Sequence, residues 1–279
     1  MKKILTLASA VLFAFQMNAQ DLPMPSPSAT AVQTIGLNDV TVTYSRPSKK
    51  GRTIWGDLVP FDKIWRLGAN GATNIHFDGT VKINGTDIPE GDYSVFAIPG
   101  KSEWTIMINS VTGKWGTDGY EEANNLVSVK ATPAKHTMTE SMLIYFDNLT
   151  SGSADMVIAW DEVAVSMTIE TDYMGASEKN IESAINELDR GFRVYNNAAN
   201  FYIANNTKPE MALEYAKKSV EMEKRFWNIK TLSEAYAMNE DYKMAIETAQ
   251  ESLKMAEEAE YAPYIKMNTD NIDKWKKMK

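Results

Sequence analysis

Residues 74–98 read NIHFDGTVKINGTDIPEGDYSVFAI, and this stretch decides the fold of the first half of the chain. Short runs in which apolar residues alternate with polar ones occupy residues 74–77, 81–83 and 93–98. Runs of this length and period are typical of half-buried strands. Asn84-Gly85 suits a type I′ hairpin, because both residues tolerate positive φ. The stretch therefore predicts antiparallel strands joined by tight turns.

The same pattern extends from Val32 to Thr171, and no helical pattern interrupts it. Further runs of this kind are residues 40–44, 104–108, 126–129, 142–146, 156–160 and 163–169. About nine or ten short strands in such a length are typical of an antiparallel β-sandwich, with a barrel as the alternative. We therefore predict an α+β multidomain chain whose first domain, residues 31–172, is a β-sandwich.

The pattern changes between Tyr173 and Ser177. Beyond this point Pro and Gly become rare, and apolar residues follow helical spacing. Residues 211–222 recur 33 positions later as residues 244–255. The segment MALE corresponds to MAIE, the later Val corresponds to Leu, and the later Ala, Ser and Met residues are the same in both copies. Repeats of this length are typical of helix pairs that stack on one another. We therefore predict a helical repeat domain over residues 178–279.

The repeats resemble the tetratricopeptide consensus at Leu232, Tyr236, Ala245 and Ala249. The Gly of that consensus is replaced by Ser233, and its late Pro is absent. The resemblance implies paired antiparallel helices, whose stacked surface commonly binds proteins or peptides.

Two polar loops carry helix start signals. Thr207 is followed three residues later by Glu210, which is the spacing of a capping box with Thr207 as the N-cap. Asp241 can cap the helix of the second repeat. The segment 263–279 predicts a terminal capping helix, polar on one side.

Residues 1–20 have the composition of a cleavable signal peptide. Lys2 and Lys3 precede an apolar run of 12 residues, which is shorter than the roughly 20 that a membrane-spanning helix needs. We expect cleavage after Ala19 or Gln20 and a flexible, Pro- and Ser-rich mature N-terminus over residues 21–30. The sequence therefore predicts an exported protein, periplasmic or secreted, without a membrane span.

The chain has no Cys and a net charge of −8. The lack of Cys excludes disulfides, thiolate nucleophiles, Cys-based metal sites and a lipid anchor on an N-terminal Cys. Loss of Lys2 and Lys3 with the signal peptide would make the net charge −10. Such a charge opposes binding to nucleic acid and to anionic membrane surfaces, so we expect neither as a partner.

Motifs of metalloenzymes, serine hydrolases and nucleotide-binding proteins are missing from the sequence. The two His residues are His76, which we interpret as a solvent-facing or hydrogen-bonded strand residue, and His136, which we place on a surface loop. We predict no metal and no cofactor. Acidic residues are common, so a carboxylate pair that would serve a glycosidase is not singled out by spacing.

One segment is long and basic: residues 44–70, YSRPSKKGRTIWGDLVPFDKIWRLGAN, which we call the basic segment. From Tyr44 to Arg66 the segment contains six Arg or Lys residues but only two Asp residues, and two Trp residues lie among them. A guanidinium group beside an aromatic face can hold a carboxylate, phosphate or sulfate, or stack on a sugar ring. The candidate ligand-binding residues are Arg46, Lys50, Arg52, Trp55, Trp65, Arg66, Asn70 and Thr73.

The alternative is a structural role for this segment. In that interpretation it closes one end of the sandwich, and its Arg side chains bond loop carbonyls. The residues expected to fill the core are then Ile54, Trp55, Leu58, Val59 and Ile64.

Seven short motifs lie in this part of the chain: RPS at 46–48, KGR at 50–52, IWG at 54–56, LVP at 58–60, WRxGAN at 65–70, Thr73 and YSVFAIP at 93–99. Over about residues 30–170 the chain resembles the exported domain-of-unknown-function family 2911. The resemblance implies an exported β domain, in some members followed by helical repeats. It implies no activity and no role for any residue.

These observations favour an exported, non-catalytic ligand- or protein-binding module of the cell envelope. An anionic or glycan ligand would bind at the Arg46–Thr73 loop, and a protein or peptide would bind the helical repeats. The alternatives are an envelope hydrolase that cleaves glycans or peptides with a carboxylate pair near the basic segment, and a purely structural component. Met residues at helical spacing fit either a core or a partner groove. They are Met211, Met222, Met238, Met244 and Met255.

Overall fold

The computed structural model describes residues 22–186 and 191–278. The predicted signal peptide, residues 1–20, lies outside the described residues. The chain divides into two compact units, one that ends at Thr171 and one that begins at Asp172. We call them the β unit and the helical unit. Within the described part of the chain, every helix is too short or too polar to cross a membrane.

Ten strands in two antiparallel sheets make up the described part of the β unit. They are β1 (Ser28–Ile35), β2 (Asn38–Ser45), β3 (Thr73–Phe77), β4 (Val81–Ile83), β5 (Thr86–Ile88), β6 (Gly91–Ile98), β7 (Trp104–Asn109), β8 (Asn125–Ala131), β9 (Ala134–Asp147) and β10 (Ser153–Glu170). One sheet has the order β1-β2-β3-β6-β7-β8, and the other has the order β5-β4-β10-β9. The predicted antiparallel sandwich, rather than a barrel, is confirmed.

Alternation of side chains explains how the two sheets share one core. On β3, Ile75 and Phe77 are fully buried, whereas His76 between them faces outward next to Asp92 of β6, with Nδ1 at 3.2 Å from Oδ1. On the other sheet, Met142 and Ile144 of β9 are buried in the same cluster, together with the inward-facing residues of β10. Because successive side chains of a strand point to opposite faces, the period-two pattern places these residues inside.

The hairpin between β4 and β5 has the predicted turn. Asn84 has a φ of 49° and Gly85 a φ of 77°, as both central residues of a type I′ turn require. Val81 pairs with Ile88 and Ile83 with Thr86 across this turn.

Two expectations about the β unit need correction. β1 begins at Ser28, so the last three residues of the segment expected to be flexible, 28–30, pair with β2 instead. His136 belongs to β9 rather than to a surface loop, and its Nδ1 lies 2.7 Å from the carbonyl oxygen of Thr137. In both places a neighbouring strand supplies backbone hydrogen bonds that local composition does not reveal.

The helical unit contains six helices among its described residues: α1 (Tyr173–Asn186), α2 (Gly191–Ala204), α3 (Pro209–Met222), α4 (Phe226–Met238), α5 (Tyr242–Glu258) and α6 (Ala262–Trp275). Each helix packs on its successor, and α4 also contacts α2 and α6. The predicted recurrence corresponds to α3 and α5, whose buried small residues let the paired helices approach closely. These residues are Ala212, Ala216, Ala245 and Ala249. The architecture agrees with helical repeats.

A polar contact repeats together with the helices. Ser219 of α3 donates to the carbonyl oxygen of Phe192 at 2.7 Å, and Ser252 of α5 donates to that of Phe226 at 2.6 Å. Each Ser hydroxyl also accepts from a buried amide, that of Asn228 at 3.0 Å or of Asn268 at 2.9 Å. All these side chains lie in the interior, so the bonds fix how neighbouring helices register.

The two predicted caps have different outcomes. Asp241 caps α5, because its Oδ1 accepts from the backbone N–H of Met244 at 3.0 Å. The predicted N-cap at Thr207 is wrong. Lys208 occupies that position with a left-handed backbone, and Pro209 then begins α3 without a side-chain cap. Pro is favoured at the first helical position because its fixed φ suits the helix and its missing N–H would have no intrahelical partner.

Candidate functional site

The basic segment forms most of the connection between β2 and β3, residues 46–72, which contains no regular strand. Its apolar residues nevertheless enter the core, since Ile54, Val59 and Leu67 are buried. Trp65 pairs with Ala97 of β6 through two backbone hydrogen bonds of 2.7 and 2.9 Å. Leu58 was expected to fill the core in the structural alternative, but it is exposed. The connection therefore closes the sandwich and also presents side chains at its surface.

Four indole rings pack together where this connection meets the sheets. We call Trp55, Trp65, Trp104 and Trp160 the Trp cluster. The ring centroids of Trp55 and Trp104 are 4.8 Å apart, and Trp65 lies nearly parallel to Trp160 at 6.3 Å. Most of the other pairs meet edge to face, an arrangement that aligns the positive ring edge with the negative ring face. The cluster thus packs the connection, which contributes Trp55 and Trp65, against the strands that carry Trp104 and Trp160.

The first residues of the connection are bound to the edge strand β9. Arg46 Nε donates to the carbonyl oxygen of Met142 at 2.8 Å, and the Met142 N–H donates to that of Pro47 at 2.9 Å. Lys50 contributes its backbone N–H to Glu140 Oε1 at 2.8 Å. These bonds cover an edge that would otherwise expose unpaired backbone groups. Of the candidate ligand-binding residues, Arg46 is thus engaged with the scaffold.

Lys49, which was not among the candidates, makes the closest ion pair in this region. Its Nζ lies 2.6 Å from Oδ1 of Asp161, and both side chains are about four-fifths buried. Asp161 sits at an irregularity in the pairing of β10 with β9 and has a φ of 57°. The pair joins the connection to β10.

Asn70 and Thr73, at the far end of the connection, also hold the scaffold together. Asn70 Nδ2 donates to the carbonyl oxygen of Ser26 and to Ser45 Oγ, both at 3.1 Å. The buried Thr73 hydroxyl donates to the carbonyl oxygen of Leu67 at 2.5 Å. Both side chains fix the backbone that follows Arg66.

Three of the candidates line one cavity of about 210 Å³, which we call the arginine cavity. Two Arg residues and two Trp residues of the Trp cluster are among the residues that line it. The lining residues are Ser26, Pro47, Arg52, Leu58, Val59, Trp65, Arg66, Gly68, Ala69 and Trp160. Of the candidates, the structure places Arg52, Trp65 and Arg66 in its wall. Arg46, Lys50, Trp55, Asn70 and Thr73 lie outside it.

Arg52 and Arg66 differ in how their guanidinium groups are held. Arg52 donates through Nε to the carbonyl oxygen of Lys49 at 3.0 Å and through Nη2 to that of Ser48 at 2.6 Å, so its fork is fixed although it is exposed. Arg66 Nε is buried and has no hydrogen-bond acceptor among the described residues. Trp55 Nε1, in the adjoining Trp cluster, is buried without an acceptor in the same way.

These features define what the cavity can do chemically. A buried N–H group without an acceptor costs about 1–3 kcal/mol, and more when the group is charged. Arg carries donors only, so the partner that relieves this cost is an acceptor and preferably an anion. None of the described residues in the cavity wall is an Asp or Glu. The described lining residues thus include two Arg, two Trp and no carboxylate.

Several residues of the cavity carried no recognisable signal in the sequence. Trp160 belongs to β10, and Ser26 precedes β1. Gly68 has a φ of 150°, and a Cβ atom there would lie 2.9 Å from the carbonyl oxygen of Ser45, so the chain needs glycine next to Leu67 and Ala69. The sequence shows a Gly at this position but does not show why a Gly is needed there.

Two concave surfaces lie among the described residues of the helical unit. One, of about 550 Å³, is lined by Phe226, Trp227 and Met255 together with Arg193, whose guanidinium lies 5.9 Å from the Trp227 ring centroid. The other, of about 290 Å³, lies at the ends of α2, α4 and α6 and includes Met238, Trp275 and Lys274. Of the five Met residues, Met255 lines the first surface, Met238 lines the second, and Met222 is exposed.

Tyrosines between α2 and α3 lie close to cations. Burial raises the pKa of Tyr202 and of Tyr215, and Lys208 Nζ lies 5.6 Å from the Tyr202 ring centroid. A hydrogen bond to Glu178 raises the pKa of Lys208. Near neutral pH these phenols are thus neutral and this lysine is charged.

A metal centre is not evident in the described part of the chain, where no three His, Asp or Glu side chains are placed to share an ion.

Neither the curated proteins nor the solved structures contain a significant match to this chain. One family model does match, with the description "Protein of unknown function (DUF2911)", over residues 26–169. The matched range runs from just before β1 almost to the end of β10, so it comprises the β unit with the arginine cavity. The chain belongs to the DUF2911 family of proteins of unknown function.

Proposed function

We propose that this chain is a non-catalytic binding module of the cell envelope, in which the β unit binds an anionic ligand or an acidic glycan in the arginine cavity. The helical unit supplies contacts to a protein or peptide. The observation that carries the proposal is Arg66, which lines a cavity and whose buried Nε has no acceptor among the described residues.

The cavity has the properties of a small-ligand site. It is concave, Trp65 and Trp160 are among its lining residues, and a few polar groups converge on it. The bonds of Arg52 to Ser48 and Lys49 hold its guanidinium in place, so little entropy is lost when a ligand binds. A ligand that bridges Arg52 and Arg66 would gain charge-assisted hydrogen bonds at both.

Binding accounts for this cavity better than hydrolysis does. A glycosidase needs two carboxyl groups on either side of the scissile bond. The described lining residues include no Asp or Glu, so no pair flanks a ligand held by Arg66.

The helical unit supports the second part of the proposal. Two surfaces combine apolar residues with charged ones, as in Trp227 beside Arg193 and Trp275 beside Lys274. Aromatic and Arg side chains are enriched where protein interfaces hold most of their binding energy. Export to the envelope rests on the composition of residues 1–20, and N-terminal sequencing of the mature chain tests it.

A thermal-shift screen tests the ligand site. The compounds are D-galacturonate, D-glucuronate, glucose 6-phosphate, succinate and inorganic phosphate, with glucose as the neutral reference. We expect at least one anion, but not glucose, to raise the unfolding temperature of the wild type, because ligands stabilise the state that binds them. Arg66→Ala should lose this shift.

Lys63→Ala is the matched control, since it removes one positive charge from an exposed side chain of the same connection. It should keep the full shift. Equal shifts in the wild type and in Arg66→Ala, or no shift with any anion, would contradict the proposed site.

A further inference from the structure

Trp115 is an indole that the core does not use. It lies in the loop between β7 and β8, residues 110–124, and 66% of its surface is exposed. Exposure of so large an apolar side chain costs free energy, about 25 cal/mol for each Å² of apolar surface left in water. Four of the six other Trp residues form the Trp cluster, to which Trp115 does not belong.

The loop holds Trp115 at the end of the connection that carries Arg66. Residues Gly71 and Trp115 form an antiparallel bridge. Gly116 N–H donates to the carbonyl oxygen of Asn70 at 3.0 Å, and Ala72 N–H donates to that of Lys114 at 3.2 Å. These bonds thus fix the backbone of Trp115 next to residues 70–72.

Arg66 reaches toward the same loop. Its Nη1 lies 4.0 Å from the point that a Cβ atom on Gly116 would occupy. Because consecutive Cα atoms are about 3.8 Å apart, the Cα of Trp115 lies within about 10 Å of this nitrogen. A ligand that extends from the arginine cavity past Arg66 toward this loop would therefore come close to residue 115 after one or two sugar units.

The chemistry of an acidic oligosaccharide fits both ends of this path. The carboxylate or sulfate of one sugar is bound by the guanidinium fork. The C–H groups on the face of the next pyranose ring are polarised positively and pack on an indole, whose ring face is negative. A single small anion uses only the first of these features and leaves Trp115 without a role.

We propose that the natural ligand of the arginine cavity is an acidic oligosaccharide and that Trp115 stacks on a neighbouring sugar ring. This inference rests on the proposed function, which requires only that the ligand carry an anionic group. Trp115 then sets the preference for a chain over a single acidic sugar, and Arg66 sets the preference for charge.

Isothermal titration calorimetry with oligosaccharides of different length tests the inference. The probes are D-galacturonate, tri-galacturonate, a hyaluronan tetrasaccharide, the neutral maltotriose and a tri-glutamate peptide. We expect at least one acidic oligosaccharide to bind the wild type about tenfold more tightly than galacturonate does. Maltotriose and the peptide should bind more weakly than that oligosaccharide.

Trp115→Ala should remove most of the advantage of the oligosaccharide, a loss of about three- to tenfold in affinity, and should leave galacturonate binding unchanged. Leu149→Ala is the control, because Leu149 is also exposed but lies in the turn between β9 and β10. It should change neither affinity.

Two results would overturn the inference while leaving the proposed site intact. In the first, galacturonate or another anion binds in an Arg66-dependent way, but no acidic oligosaccharide binds more tightly or Trp115→Ala has no effect. In the second, the tri-glutamate peptide binds more tightly than the acidic oligosaccharides and loses affinity in Trp115→Ala. If no anion binds at all, the inference and the proposed site both fail.

Discussion

Trp104→Ala is expected to lower the free energy of unfolding of the β unit by about 3–5 kcal/mol, the usual cost of removing a large aromatic side chain from a core. Trp104 is only 2% exposed, and its ring contacts those of Trp55 and Trp65. The cavity left behind cannot collapse easily, because two rigid indoles, those of Trp55 and Trp65, border it. Hydrogen exchange measured by mass spectrometry should show faster exchange in β6 and β7.

Trp115→Ala is the matched control, since the same side chain is removed from an exposed position. Its effect on the free energy of unfolding should stay within about 0.5 kcal/mol. Similar losses of protection in both variants would show that the Trp cluster does not support the connection above it.

Arg66→Lys is expected to weaken binding of the anion found in the thermal-shift screen by about ten- to hundredfold. Lysine retains the positive charge but has neither Nε–H nor the planar fork that matches two oxygens of a carboxylate. A hydrogen bond to a charged group contributes about 1.5–3 kcal/mol, and each 1.4 kcal/mol corresponds to a factor of ten in Kd. Calorimetric titration of wild type and variant measures the ratio.

Lys63→Arg is a control for the exchange of one cation for the other, at an exposed site of the same connection. It should leave Kd unchanged. If Arg66→Lys binds as tightly as the wild type, charge alone attracts the ligand and the buried Nε plays no part.

The sequence was sufficient for the architecture wherever local periodicity reflects burial. His76 between Ile75 and Phe77 identified a strand with one buried face. Ala212 and Ala245, one repeat apart, identified the places where helices approach closely. In each case one side chain's surroundings follow from the residues next to it in the chain, so pattern and structure agree.

The sequence was not sufficient for the candidate site, because long-range contacts build it. Arg46 and Arg66 look equivalent in the basic segment, yet Arg46 is bound to Met142, 96 residues away, and Arg66 Nε has no acceptor among the described residues. Trp160 joins the cavity wall from β10. The left-handed Lys208 that replaced Thr207 as an N-cap likewise depends on how the chain enters α3. No residue type or spacing encodes these pairings.

The most direct test of the ligand site is the NMR resonance of the Arg66 Nε–H group. The sequence contains six Arg residues, so their Nε–H signals can be resolved, and the signal missing in Arg66→Lys assigns this one. During titration with D-galacturonate or phosphate, we expect the Arg66 signal to shift and its exchange with water to slow. The Arg46 signal should stay fixed, because Met142 already accepts from that group. A bound anion that leaves the Arg66 signal unchanged would contradict the account.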